Sequence, residues 1–472
     1  MQPPASPLNS GSETDGSSDS PFDWIEPARF NNWESSRGHL ESIWACGAHA
    51  DLLQILKTRL TRHFRDLVDR DATISNLDRF IAASRSPTAL LSLFERDEAA
   101  LSALLQVFST SQTLANRLIA DPESFDLMRA SDGQGAERKY LVDEFVAEAQ
   151  AIESPSRMAL AIRKFTSREI VRIAYGEFVR DLSPDLVGQQ LAFVADAVLQ
   201  ATLEFVVRRL EQRIGLPKRV DGQPVRVSII GLGHLGGFEL GYGSPLELMF
   251  LYDAIEERNQ SHHEFVEQVV ADIISTISSD DADALNIFVD TTFRPLGSEI
   301  SIGNSDLTVK RLESDGRTWQ RIKLTKARVV AGDVELGEDF LARLQPWVYQ
   351  RFLSRQDFSN IRSLRRKLQR RFETEQADGD DVSLAPGGRN DIELMVQFLQ
   401  LLHGGDIPTV RVGNTAEAIS RLEREGCLTH QEASLLAKGY ARLCRLQHQL
   451  SVMFGRHTSC LPNDDAMRRR LS

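Results

Sequence analysis

Cysteine is scarce in this 472-residue chain, with only Cys46, Cys427, Cys444 and Cys460 present. No two of them are spaced as C-x-x-C, so the pattern supports neither a zinc ribbon nor a disulfide framework. It fits a reducing, cytoplasmic setting. Also missing is an uninterrupted apolar run of 18 or more residues, and no basic stretch leads into an apolar one at the N-terminus. Neither membrane insertion nor secretion is therefore expected. A positive balance is lacking too. With 55 Lys and Arg against 67 Asp and Glu, the net charge is −12. Such a chain is poorly suited to long polyphosphate backbones, and nucleic acid is set aside as a partner.

What is present is an ordinary globular composition, 42% apolar and 26% charged, at a length that calls for two or three domains. Residues 1–22 are rich in Ser, Gly, Pro and Asp and read as a disordered tail. From about 38 to 216 the apolar residues recur three and four apart with little punctuation, which predicts a helical leader. The texture changes at Pro217. VRVSIIG and LELMFLYD read as buried strands on either side of a glycine-dense turn. A helix from His262 to Ser278 and a third strand, LNIFVDTTF (285–293), complete an α+β domain over roughly 217–335. From about 340 to 472 the pattern is helical again, broken once by APGGRNDIE (385–393).

The turn Gly231-Leu232-Gly233-His234-Leu235-Gly236 formally satisfies G-x-G-x-x-G, with Asp253 downstream. A dinucleotide loop must open a helix. Here Gly237, Gly241, Gly243 and Pro245 follow within nine positions. Each glycine costs a helix interior about 1 kcal/mol and a proline about 3 kcal/mol relative to alanine. The turn fits a nucleotidyltransferase of the polymerase-β type better. In that chemistry a glycine loop approaches a triphosphate, and the next strand presents carboxylates two residues apart. Positions i and i+2 of a strand share a face, so such a pair, with a third carboxylate from a neighbouring strand, can hold two magnesium ions.

At this level of detail GLGHLGGFELGYGSPLELMFLYD (231–253) resembles the signature of the glutamine synthetase adenylyltransferases, approximately G-x-G-K-x-G-G-x-E-L-x-x-x-S-D-x-D-L-x-F-x-Y. FVDTTFRPLG (288–297), the Trp319-Gln320-Arg321 triplet, Lys326-Ala327-Arg328 with VVAGD, LAPGGRNDIELMVQFLQLLHGG (384–405) and RHTSCLP (456–462) are similar to further motifs of that family. The resemblance implies a mainly α protein with a central α+β, polymerase-β-like nucleotidyltransferase domain, a helical leader and a C-terminal helical bundle. It implies ATP or ADP as nucleotide, Mg²⁺ as cofactor, and glutamine synthetase as partner, with a nitrogen-signalling protein as a possible second one. Glu247 and Asp290 are the implied catalytic metal ligands. Gly231, Gly233, Gly236, Gly237, Ser244, Arg294, Lys326 and Arg328 are the implied nucleotide contacts. Family members carry two such modules, one attaching an adenylyl group to a tyrosine of glutamine synthetase and one removing it by phosphorolysis.

The departures fall on charged positions. S-D-x-D is here Ser244-Pro245-Leu246-Glu247, so the first aspartate is replaced by a residue with no ligand atom. Two carboxylates remain, enough to hold one hydrated Mg²⁺ weakly. His234 replaces the loop lysine, and Asn390-Asp391 stand where the motif has Arg-Glu. Glu239 is open to two readings, a site residue or a solvated turn carboxylate. Arg294 and Arg328 could clamp phosphate or bridge carboxylates structurally. The run Arg365, Arg366, Lys367, Arg370 and Arg371 reads as a solvated helix face. Two functions compete. One is a module that transfers or removes adenylyl groups with weakened activity; the other keeps the fold only to bind a partner or nucleotide.

Overall fold

The computed structural model describes residues 22, 24–26, 30–64, 67, 69–219, 221–253, 260–278, 289–290, 302–375, 381–469 and 471. Residues 1–21 of the expected tail, Arg294, and all of the 285–293 strand except Val289 and Asp290 lie outside the described residues.

The chain divides into two compact units, residues 1–105 and 106–472. The first is built from α1 (Trp33–Trp44), α2 (Ala50–His63), α3 (Arg70–Ala83) and α4 (Pro87–Arg96). Short polar side chains start three of these helices: Asn32, Asp69 and Ser86 each accept a first-turn backbone N–H. Leu40, Ile43, Leu56, Leu60, Ile74, Leu77 and Phe80 form the interior. Asp71 of α3 ties α1 down, accepting the Ser36 hydroxyl at 2.7 Å and the Asn31 N–H at 2.8 Å. Helix α5 (Glu98–Thr110) spans the division in sequence.

The second unit opens with α6 (Gln112–Ala120), α7 (Ser124–Ser131), α8 (Arg138–Gln150), α9 (Pro155–Arg180) and α10 (Pro184–Ile214). The last two start alike, with a capping serine followed by proline at the first helical position, Ser154-Pro155 and Ser183-Pro184. Helix α10 is long and apolar enough to cross a membrane, but 78% of its most apolar stretch is buried within the protein. It packs against α8 and α9, against the later helices Gln260–Ile277 and His430–Phe454, and against the strand Arg328–Gly332, as a central core helix.

After Pro217 come β1 (Val227–Gly231), the single-turn α11 (Gly233–Gly236), β2 (Leu246–Tyr252), α12 (Gln260–Ile277), β3 (Val289–Asp290), β4 (Ile302–Asn304), α13 (Ser305–Asp315), α14 (Thr318–Leu324) and β5 (Arg328–Gly332). The remainder is helical: α15 (Val334–Val348), α16 (Arg355–Glu375), α17 (Arg389–His403), α18 (Thr415–Arg424), α19 (His430–Phe454) and α20 (Asp465–Arg469). The protein is thus mainly α with one small mixed sheet. Its strand order is β3-β2-β1-β5, with β4 also paired to β2. Strand β1 is antiparallel to both β2 and β5, while β3 and β4 run parallel to β2. Antiparallel pairing directly across the glycine turn rules out the parallel crossover that a dinucleotide fold needs.

Both faces of the sheet are covered. Ile230, Met249 and Leu251 share one face and pack with Val309, Leu312, Ile322, Phe340, Leu344 and Leu401 from α13 to α17. Residues of opposite parity, Ile229 and Phe250, are equally buried.

Candidate active site

Glu247 is the one residue of β2 that is not fully buried. It has the parity of Met249 and Leu251, so it projects toward the helices α13 to α17 at the edge of their core. Its register partner on β3 is Asp290, which places both carboxylates on the same face of adjacent strands. Pro245, two residues before Glu247, contributes no side-chain ligand atom. The glycine turn comes up against Glu247. Gly233 adopts a φ of +53°, and a Cβ there would lie 2.5 Å from the Glu247 Oε1.

A cation does meet Glu247, but it belongs to the protein. The Lys323 ammonium forms an ion pair with the Glu247 Oε2. Helix α14 sets this up by burying Ile322 and Leu324 in the core, which turns Lys323 outward at the helix end. Arg321 fixes the same helix, donating from Nε and Nη2 to the Val348 carbonyl at 3.0 and 2.9 Å and pairing with Asp357. Magnesium needs near-octahedral oxygen ligation. The donors here are two carboxylates, and an ammonium already meets Glu247. Among the described residues no group of three His, Cys, Asp or Glu side chains is placed to hold a metal ion. The set does not fit a two-metal clamp.

The other basic residues implied by the sequence are engaged elsewhere. Lys326 is buried, with its Nζ 2.5 Å from Glu239 and 3.2 Å from Glu393 of α17. Burial would lower its pKa, but the two carboxylates outweigh that and raise it. Glu393 answers in kind. Burial pushes its carboxyl up, yet Lys326, His234 and Arg389 together hold it well below the usual carboxylate range. Arg389 is fully buried, donating to Glu393 at 2.9 Å, to Gln447 at 2.7 Å and to the Glu239 carbonyl at 3.0 Å. Glu239 also accepts the Thr415 N–H. It is therefore neither a solvated turn carboxylate nor open to a ligand. A phosphate could reach Lys326 only by displacing one of its carboxylates.

Arg328 pairs across from Gly231 on β5, which aims it at the sheet face opposite to Glu247. There it grips Asp196 of α10 with both terminal nitrogens, at 2.7 and 2.8 Å, and lies 3.9 Å from the Phe238 ring centre. Asp196 is wholly buried and also accepts from Arg138 at 2.6 Å. Ser244 is buried too, its hydroxyl accepting the Gly241 N–H at 3.1 Å and lying 3.3 Å from His457 Nδ1. Of the glycines, Gly236 backs onto the Lys326 carbonyl and Gly231 onto Val330, while Gly237 faces Glu239 and Gly413. Glu247 meets Asp290 across the strand register and Gly233 across the turn, while Lys326, Arg328 and Ser244 serve other contacts.

Comparison with known proteins bears directly on this arrangement. The family model for glutamate-ammonia ligase adenylyltransferase matches residues 101–343, just over half of the chain. The chain belongs to that family. Residues 341–472 match a second model, that of the GlnD PII-uridylyltransferase. Among curated proteins, a bifunctional glutamine synthetase adenylyltransferase/adenylyl-removing enzyme of Pseudomonas aeruginosa is 28% identical over 416 residues, covering 83% of this chain and 42% of its own length. The enzyme of the same description from Thioalkalivibrio sulfidiphilus is 29% identical over 331 residues, covering 69% and 34% respectively. That of Hahella chejuensis is 25% identical over 378 residues, covering 78% and 39%. The chain therefore spans about two fifths of the length of these relatives.

For a member of the adenylyltransferase family, several important side chains are not visible in motif spacing. Lys323 sits in a short helix where a lysine ordinarily reads as solvated. Asp196 does leave a trace, as a lone acid inside the apolar stretch VADAVLQATL. Arg389 and Glu393 fall within the quoted glycine motif, and their burial comes from α19 and the Lys326 segment packing over them.

Proposed function

We propose that the chain is one nucleotidyltransferase module of the adenylyltransferase family, with ATP or ADP as its nucleotide and glutamine synthetase as its protein partner. Its own metal-dependent transfer or phosphorolytic removal of the adenylyl group is weak. The observation that carries this reading is at β2, where Glu247 keeps a carboxylate opposite Asp290 while Pro245 replaces the acid two residues earlier. The nucleotide approaches beside Gly233, where the backbone comes closest to Glu247. Lys326, Arg328 and Ser244 hold the loop and the sheet instead of the phosphates. The match of residues 341–472 to the PII-uridylyltransferase model supports a nitrogen-signalling protein as a further partner. A cytoplasmic setting accompanies this reading.

Nucleotidyl transfer relies on charge neutralisation and alignment at the phosphates. A site short of one ligand supplies little of either. Purified protein mixed with adenylylated glutamine synthetase, phosphate and Mg²⁺ should release little ADP while still co-eluting with glutamine synthetase. Robust turnover that Glu247→Ala abolishes would overturn the reading.

A further inference from the structure

The shortage of ligands at Glu247 has a counterpart in the charge that faces it. We propose that Lys323 is a built-in cation that closes the Glu247–Asp290 pair to divalent metal ions. This rests on the reading above that the β2–β3 edge is the nucleotidyltransferase site. Three observations converge on one point. Glu247 and Asp290 share a sheet face in register. The Lys323 ammonium meets Glu247 Oε2. Gly233 leaves only the width of a missing side chain above Glu247 Oε1, so the carboxylate has little freedom to swing away from the lysine.

The electrostatics favour exclusion. A divalent ion placed between the two carboxylates would sit a few ångströms from a resident positive charge, and that repulsion grows as water is displaced. To coordinate Glu247 the ion must first break the ion pair and find the remaining oxygens of its octahedron without a side-chain carboxylate at 245 to supply one. Pro245 and Lys323 therefore act on the same ion in different ways. Proline removes a ligand, and lysine occupies one that remains. The Lys323 side chain is 40% exposed, so its removal does not hollow the core.

The test is titration of the full chain with Mn²⁺, followed by the free-ion electron paramagnetic resonance signal. Wild type should bind Mn²⁺ weakly. Lys323→Met should bind it roughly 10- to 100-fold more tightly, the scale on which neighbouring groups tune metal sites. Lys323→Arg, which keeps the charge, should behave as wild type, and adding Glu247→Gln to Lys323→Met should abolish the gain. Lys323→Gln gives the same answer should the methionine variant fail to fold. Unchanged Mn²⁺ affinity in the neutral variants, or tight wild-type binding that Glu247→Gln removes, overturns the proposal. A Lys323→Met variant that binds Mn²⁺ tightly but neither ATP nor ADP would uphold the lysine's role while removing the nucleotide reading on which it rests.

Discussion

Arg328 and Asp196 join the last strand of the sheet to the central helix through two parallel hydrogen bonds of 2.7 and 2.8 Å. Asp196 is the wholly buried member of this pair, and it also takes Arg138. Removing one partner of a buried ion pair strands the other, at a cost of about 3–5 kcal/mol. Because Arg328 retains partial access to solvent and a bond to the Leu235 carbonyl, the lower end applies. Asp196→Ala is expected to lower stability by roughly 3 kcal/mol in urea titrations. Lys in place of Arg328 cannot restore the two-pronged geometry and should also be destabilising.

Gly233 supports a prediction of a different kind. Its backbone sits in the left-handed region, which costs a residue with a Cβ about 1–2 kcal/mol. The added Cβ would also press on the Glu247 carboxylate. Gly233→Ala should therefore lower the melting temperature and loosen the Glu247–Lys323 contact. An unchanged melting temperature would show that the loop relaxes freely.

Lys326 separates a structural role from a nucleotide-binding one. Lys326→Met leaves Glu239 and Glu393 buried without their shared cation. We expect a loss of about 3 kcal/mol or more in stability. Nucleotide affinity of the fraction that remains folded should be unaltered. A variant of normal stability with lost ATP binding would reassign Lys326 to the phosphates.

The pH dependence of stability should carry the mark of His457. Burial, reinforced by His234 and opposed by the Tyr242 carbonyl, pushes its pKa down to about 4 from an ordinary 6.5. Between those values the unfolded chain binds a proton that the folded chain refuses. This contribution is therefore fully present above pH 6.5 and is lost as the pH falls toward 4, by up to about 3 kcal/mol. Denaturant titrations from pH 7.5 to 4.5 should show the decline, and His457→Gln should flatten it.

Much of the fold could be read from local pattern. The β-branched run at VRVSIIG became β1, LELMFLYD became β2, and the stretch expected as a helix from His262 to Ser278 is α12. The short β4 and β5 carry no local strand signal of their own. VVAGD is recognisable as a motif, but it becomes a strand only because β1 offers it an edge. At the site, the resemblance of 231–253 and 288–297 to family motifs implied Glu247 and Asp290, while their sharing of one sheet face comes from the β2–β3 register, which no local pattern carries. The fates of Lys326 and Arg328 were hidden because they depend on which sheet face and which helix meet them. Nothing within the triplet around Lys326 marks Glu393 of α17 as its partner.

That last contact sets a limit on how this protein can be taken apart. The cation of the sheet region and one of the acids that neutralise it lie 67 residues apart in sequence, on either side of the point where one family match ends and the other begins. A fragment ending near residue 340 would keep Lys326 and Glu239 while losing Glu393 and Arg389. It would leave an interior built for four balanced charges with half of them gone. Exchange of the C-terminal helices between relatives faces the same demand: the incoming segment must bring its own glutamate, or the glycine loop loses its anchor.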